Sequence, residues 1–104
     1  MSITIIYTNQ NINEYVSFEE ITKIPNFNLV SKIDCFNNEL ISLPDNMNFP
    51  NLQELNCSNN ELTTLPDDMN LPNLQYFNCH NNQLIALPNN MNLPNLQVFN
   101  CSCN

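Results

Sequence analysis

Apolar positions recur along the chain at a fixed interval of 22 residues. Shifting the sequence on itself by that interval aligns Val30, Leu52, Leu74 and Leu96 in one column, and Ile33, Leu55, Phe77 and Phe99 in a second. Cys35, Cys57, Cys79 and Cys101 form a third. Leu40, Leu62 and Leu84 align, as do Leu43, Leu65 and Leu87, each followed by Pro44, Pro66 or Pro88. Met47, Met69 and Met91 align, and Phe49, Leu71 and Leu93 precede Pro50, Pro72 and Pro94. Around Leu55 and Cys57 apolar and polar residues alternate, which predicts a short strand with one buried face.

A repeat of this length cannot bury its apolar face alone, so successive repeats must stack into a shared core. Their strands then lie side by side, about 4.8 Å apart, as a parallel sheet. One polar column keeps pace with the apolar ones: Asn38, Asn60, Asn82 and Asn104. It follows the strand where the chain turns inward, and an amide there offers donors and acceptors to buried backbone groups. The return segment Leu65–Leu71 is short and bracketed by prolines. It is expected to be extended or a single 3₁₀ turn, with Met69 and Leu71 inward. In the first 29 residues the periodicity fades. Ile3–Tyr7 reads as a capping strand and Tyr15–Ile21 as a short helix. The expected division is a capping segment at 1–29 and repeats at 30–104, three complete and a truncated fourth.

The phrase L-x-x-L-x-C-x-x-N-x-L is carried by Leu52, Leu55, Cys57, Asn60 and Leu62. It returns in Leu74, Phe77, Cys79, Asn82 and Leu84. It resembles the leucine-rich repeat, in the short LP-containing form of bacterial effectors and of proteins of large DNA viruses and protists. The resemblance implies an α/β-type right-handed solenoid: a horseshoe segment with a short parallel concave sheet, a convex side of turns or 3₁₀ structure, and little helix. It implies that the asparagine column forms a ladder between successive turns. It also implies a non-enzymatic protein-interaction module that docks through the concave sheet.

Charge narrows the partner. Ten acidic residues face two lysines and no arginine, for a formal net charge of −8. Such a chain has little to offer phosphates, so neither nucleic acid nor an anionic membrane is an expected partner. A basic or polar protein is. The N-terminal MSITIIYTNQN has no basic flank and no small-residue cleavage site, so no signal peptide is expected and the location expected is cytoplasmic. The chain contains 24 asparagines and no glycine, a composition that uses asparagine wherever any polar residue would serve. Without glycine there is no Gly-rich phosphate loop.

Residues with chemistry fit the scaffold better than a reaction. Four cysteines spaced 22 apart do not have zinc-ligand spacing and read as a stack of small buried hydrophobes. His80 has Ser58 as its neighbour in register, but no orienting third group. Asp67 and Asp68 supply too few oxygens for calcium. No catalytic group, metal or cofactor is expected.

Function is expected at the outward strand positions, in three columns: Lys32, Glu54, Tyr76 and Val98; Asp34, Asn56, Asn78 and Asn100; Phe36, Ser58, His80 and Ser102. The middle column barely varies within the chain and its neighbours vary freely. Phe36, Tyr76 and His80 supply aromatic groups on a polar face, and aromatics make good binding anchors. Two other readings stand beside this one. The sequence stops inside a repeat at Asn104, which leaves Phe99 and Cys101 at an open end suited to self-association, as a structural or truncated remnant. Alternatively, the chain is the recognition part of a larger effector.

Overall fold

A computed structural model of the chain describes residues 2–45 and 47–104. Six strands form one sheet: β1 (Ile3–Tyr7), β2 (Ile12–Tyr15), β3 (Val30–Asp34), β4 (Glu54–Asn56), β5 (Tyr76–Asn78) and β6 (Val98–Asn100), in the order β2-β1-β3-β4-β5-β6. From β3 to β6 the strands are parallel and in register at the repeat interval, with Ile33, Leu55, Phe77 and Phe99 opposite one another. These are the residues that the sequence places in one inward column.

The core is built from the aligned columns. Val30, Leu52, Leu74, Ile33, Leu55, Phe77 and the thiols of Cys35, Cys57 and Cys79 are buried. Each large aliphatic or aromatic side chain removed from water contributes about 1.5–3 kcal/mol. Phe77 and Phe99 stack with ring centroids 5.0 Å apart. Met69 and Leu71 point inward as expected, but the return segment is a turn at Asp67–Asp68 followed by an isolated parallel bridge between Asn70 and Asn92. The 3₁₀ turn lies instead at Phe27–Leu29, just ahead of β3.

The N-terminal residues depart most from expectation. Ile3–Tyr7 is a strand, but it runs antiparallel to β3 and also pairs with β2, the other arm of a hairpin. The hairpin turns through Gln10 at φ 71°, with Tyr7 N–H donating to the Asn11 carbonyl at 2.9 Å. Tyr15 therefore belongs to β2, and the helix is confined to Phe18–Ile21, α1. Ser17 sets its start: its Oγ accepts the Glu20 N–H at 3.4 Å, and Glu20 Oε2 accepts the Val16 N–H at 3.2 Å. The pair resembles a capping box, except that the carboxylate takes the N–H of Val16, the residue before the cap, and it marks the helix start at Ser17. Among the described residues no helix is long and apolar enough to cross a membrane.

Candidate functional site

The outward face of the sheet is ordered into rows by strand register. Lys32, Glu54, Tyr76 and Val98 lie side by side, and Asp34, Asn56, Asn78 and Asn100 form the adjacent row. Both rows run further than the repeats. Ile6 pairs with Lys32 and with Ile12, and Thr4 pairs with Asp34 and with Glu14. Sequence reasoning missed these four. The signal was present in β1, where Ile3, Ile5 and Tyr7 face inward and leave Thr4 and Ile6 to the other side.

In the first row Lys32 Nζ meets Glu54 Oε2 at 3.3 Å. Tyr76 and Val98, 43% and 51% exposed, continue it as an uncovered apolar stretch. A depression of about 180 Å³ opens beside Tyr76, lined also by Lys32, Glu54, Asn56 and Asn78.

The second row turns out to serve the backbone. Asp34 Oδ1 accepts the Phe36 N–H at 3.2 Å, Asn56 Oδ1 the Ser58 N–H at 3.1 Å, Asn78 Oδ1 the His80 N–H at 3.0 Å, and Asn100 Oδ1 the Ser102 N–H at 3.1 Å. Each is an Asx turn that closes the end of its strand. This explains why the row is Asp or Asn throughout: the side chain must reach the N–H two residues on.

The third column lies just beyond the strands. Phe36 is 49% exposed and stands beside an open cleft of about 690 Å³ lined by Ser2, Thr4, Asp34, Asn37 and Glu39. Ser58 is only 6% exposed, and its Oγ donates to Asn56 Oδ1 at 2.7 Å. His80 makes no side-chain hydrogen bond with Ser58. Its Nδ1 lies 2.8 Å from Ser102 Oγ, on the following repeat. Ser102 Oγ also lies 2.7 Å from Asn100 Oδ1.

Beneath this face, asparagine holds the repeats together. Asn60 Oδ1 accepts the N–H groups of Asn38 and Leu40 at 2.8 and 3.0 Å, and its Nδ2 donates to the carbonyls of Cys35 and Cys57. Asn82 and Asn104 repeat the pattern, and Asn38 exchanges two hydrogen bonds with the Ser2 backbone. A second column, Asn51, Asn73 and Asn95, reaches back to the carbonyls of Asn28, Pro50 and Pro72. A third, Asn37, Asn59 and Asn81, sits at φ between 54° and 57°, where Asn is the least strained residue after glycine. In these columns geometry favours asparagine over an arbitrary polar residue, although Cys103 stands in the third at φ 57°.

The thiol stack is chemically quiet. Burial pushes the Cys35 thiol up to about 12, aided by Asp34, and the Cys79 thiol up to about 12, aided by Cys101. Cys57 is raised well above its ordinary value by burial and by the flanking Cys35 and Cys79. Protonated thiols of this kind are poor nucleophiles and poor metal ligands. Among the described residues no three His, Cys, Asp or Glu side chains are grouped to hold a metal ion.

Parallel strands in register, a shared inward core and an asparagine ladder define a parallel-sheet repeat protein. Residues 50–91 match the family model described as Leucine Rich repeats (2 copies), which supports leucine-rich repeats in that segment of the chain. No curated protein and no solved structure matches the chain.

Proposed function

We propose that this chain is a non-enzymatic protein-interaction module that docks a protein on the outward face of its sheet. In this reading the repeats build a solenoid segment whose concave side is that face, and residues 1–29 cap its first turn. Leucine-rich-repeat domains are generally protein-interaction modules, and this chain carries the repeat at residues 50–91. The observation that carries the reading is the contrast between the two sides of the same strands. Leu55 and Phe77 are 1% exposed, whereas Tyr76, one residue away, is 43% exposed with nothing over it among the described residues.

The partner is basic or polar. Glu14, Asp34 and Glu54 lie on the face, and its one lysine, Lys32, is already paired with Glu54. Charge steering of this kind weakens as salt rises. A cytoplasmic location belongs to the same proposal and suits five unpaired cysteines, which a reducing compartment preserves.

The test is affinity capture with the native chain and with Phe36→Ala/Tyr76→Ala/His80→Ala, both verified as folded by circular dichroism. The captured protein is then purified and its binding to each chain measured by calorimetry. Binding at least tenfold weaker for the variant supports the reading, and equal binding overturns it.

A second reading is favoured by one observation. Leu96, Phe99 and Cys101 stand in inward columns, yet each is more exposed than its counterparts Leu74, Phe77 and Cys79. A further repeat or a second molecule of this chain would cover them.

A further inference from the structure

The β2 edge of the sheet offers a second mode of binding, through backbone groups, beside the outward face with which it shares Ile12 and Glu14. Strand β2 pairs with β1 on one side only. Tyr7 N–H donates to the Asn11 carbonyl, and in an antiparallel pair the bonded residues alternate. Asn13 and Tyr15 therefore turn their backbone groups toward β1. Ile12 and Glu14 turn theirs to the side on which no described strand pairs with β2. The Val16 N–H, next in that alternation, is already taken by Glu20 Oε2.

Natural edge strands are commonly guarded by short length, charged side chains, proline, a bulge or a covering helix, and β2 has its four-residue length and Glu14. Residues Ile12–Val16 contain neither lysine nor proline, and the β1–β2 register runs without a shift. Instead the edge presents Ile12 and Val16, 61% and 63% exposed, on either side of Glu14. Below it lies a cavity of about 220 Å³, lined by Tyr7, Asn13, Asn26 and Leu29 among others. An added strand would send alternate side chains to the outward face and into this cavity.

We propose that β2 accepts an extended segment of a partner protein as a seventh strand. Its sequence alternates apolar–polar–basic–polar–apolar. The basic residue sits opposite Glu14, the apolar ones opposite Ile12 and Val16, and a small hydroxyl or amide side chain enters the asparagine-lined cavity. Charge decides for this occupant over a second copy of the chain. Two β2 strands paired with Ile12 opposite Val16 would set Glu14 against Glu14 between two chains of net charge −8.

The probe is the synthetic peptide Ac-Val-Thr-Lys-Thr-Val-NH₂, whose palindromic order suits either strand direction, with Ac-Val-Thr-Glu-Thr-Val-NH₂ as its counterpart. Binding is followed by amide shifts in two-dimensional NMR of the full chain. The lysine peptide is expected to bind at least tenfold more tightly than the glutamate peptide, with shifts centred on Ile12 and Glu14. Glu14→Lys should reverse that preference. Glu14→Pro removes an outward N–H without breaking a β1–β2 bond, so it should abolish binding while the Ile5 and Asn13 amides keep their native protection. Tyr76→Ala should bind the peptide normally, which separates this edge from the outward face. Peptide binding that survives Glu14→Pro overturns the proposal. So does the absence of any shift at millimolar peptide, or a dimer by sedimentation that Glu14→Pro dissolves.

Discussion

Asn82 Oδ1 accepts the backbone N–H of Leu62 at 3.0 Å, while its Nδ2 donates to the carbonyls of Cys57 and Cys79, each at 3.0 Å. One side chain thus joins two successive repeats at the point where the chain leaves the sheet and turns into the core. Replacing it with leucine adds apolar surface but strands three buried backbone groups, each at a cost of about 1–3 kcal/mol. Asn82→Leu is expected to lower the urea midpoint well below that of the native chain. The same change at the more exposed Asn104 should cost less. An unchanged midpoint for Asn82→Leu would show that the ladder carries no stability.

The left-handed column gives a second prediction. Asn59 sits at φ 54°, a conformation that costs a β-branched residue more than asparagine. Asn59→Val is expected to destabilise by about 1–2 kcal/mol, and Asn59→Gly by much less. Cys103 occupies the corresponding position at φ 57°, so Cys103→Asn should hold or raise the melting temperature. Thermal unfolding of the three variants checks the set.

The thiol stack makes stability depend on alkaline pH. The ordinary cysteine value is 9.0, and Cys35 and Cys79 are held up to about 12 in the folded chain. Between those values the unfolded chain loses protons that the folded chain retains, so stability falls as pH rises. Below about pH 9 the contribution is fully present. Urea midpoints are expected to be flat from pH 7 to about 9 and to decline beyond. Cys35→Ala/Cys57→Ala/Cys79→Ala should start lower and decline less. In the native chain at neutral pH, a thiol reagent should label the exposed Cys101 and Cys103 and spare the buried three until the chain unfolds.

The Lys32–Glu54 pair should matter little for stability and more for binding. Both side chains are more than a third exposed, and such pairs contribute about 0–1 kcal/mol. Lys32→Gln is expected to leave the melting temperature within a degree or two. It removes the one cation from the outward rows, so association with a basic partner should be faster at low salt. A slower on-rate would contradict the charge assignment.

Much of this architecture was legible because inward positions are chosen for one property. Leu55, Phe77 and Phe99 differ in size but all exclude water, so their column shows plainly in the sequence. Asn60 and Asn82 were legible for a similar reason, since a polar residue held in register with buried ones needs a structural use. The N-terminal hairpin was not. Ile12 faces outward and Tyr15 inward, so β2 shows no alternation of apolar residues to read. The left-handed asparagines hid in the doublets Asn37-Asn38, Asn59-Asn60 and Asn81-Asn82. Two adjacent identical residues there serve opposite ends of one turn, the first bending the backbone and the second bonding across repeats. Of the outward rows, the sequence indicated the repeat residues but not Thr4, Ile6, Ile12 and Glu14, and it did not separate roles. Asn56 and Ser58 close a strand end, whereas Tyr76 and Phe36 are free to touch a partner.

The most direct measurement for the outward face is hydroxyl-radical footprinting of the chain, free and bound to a partner recovered by affinity capture. Phe36 and Tyr76 are expected to lose reactivity on binding, while Ile41 and Ile85, exposed outside the outward columns, keep theirs. Protection of Ile41 and Ile85 with Phe36 and Tyr76 unchanged would place docking elsewhere on the chain and contradict the account.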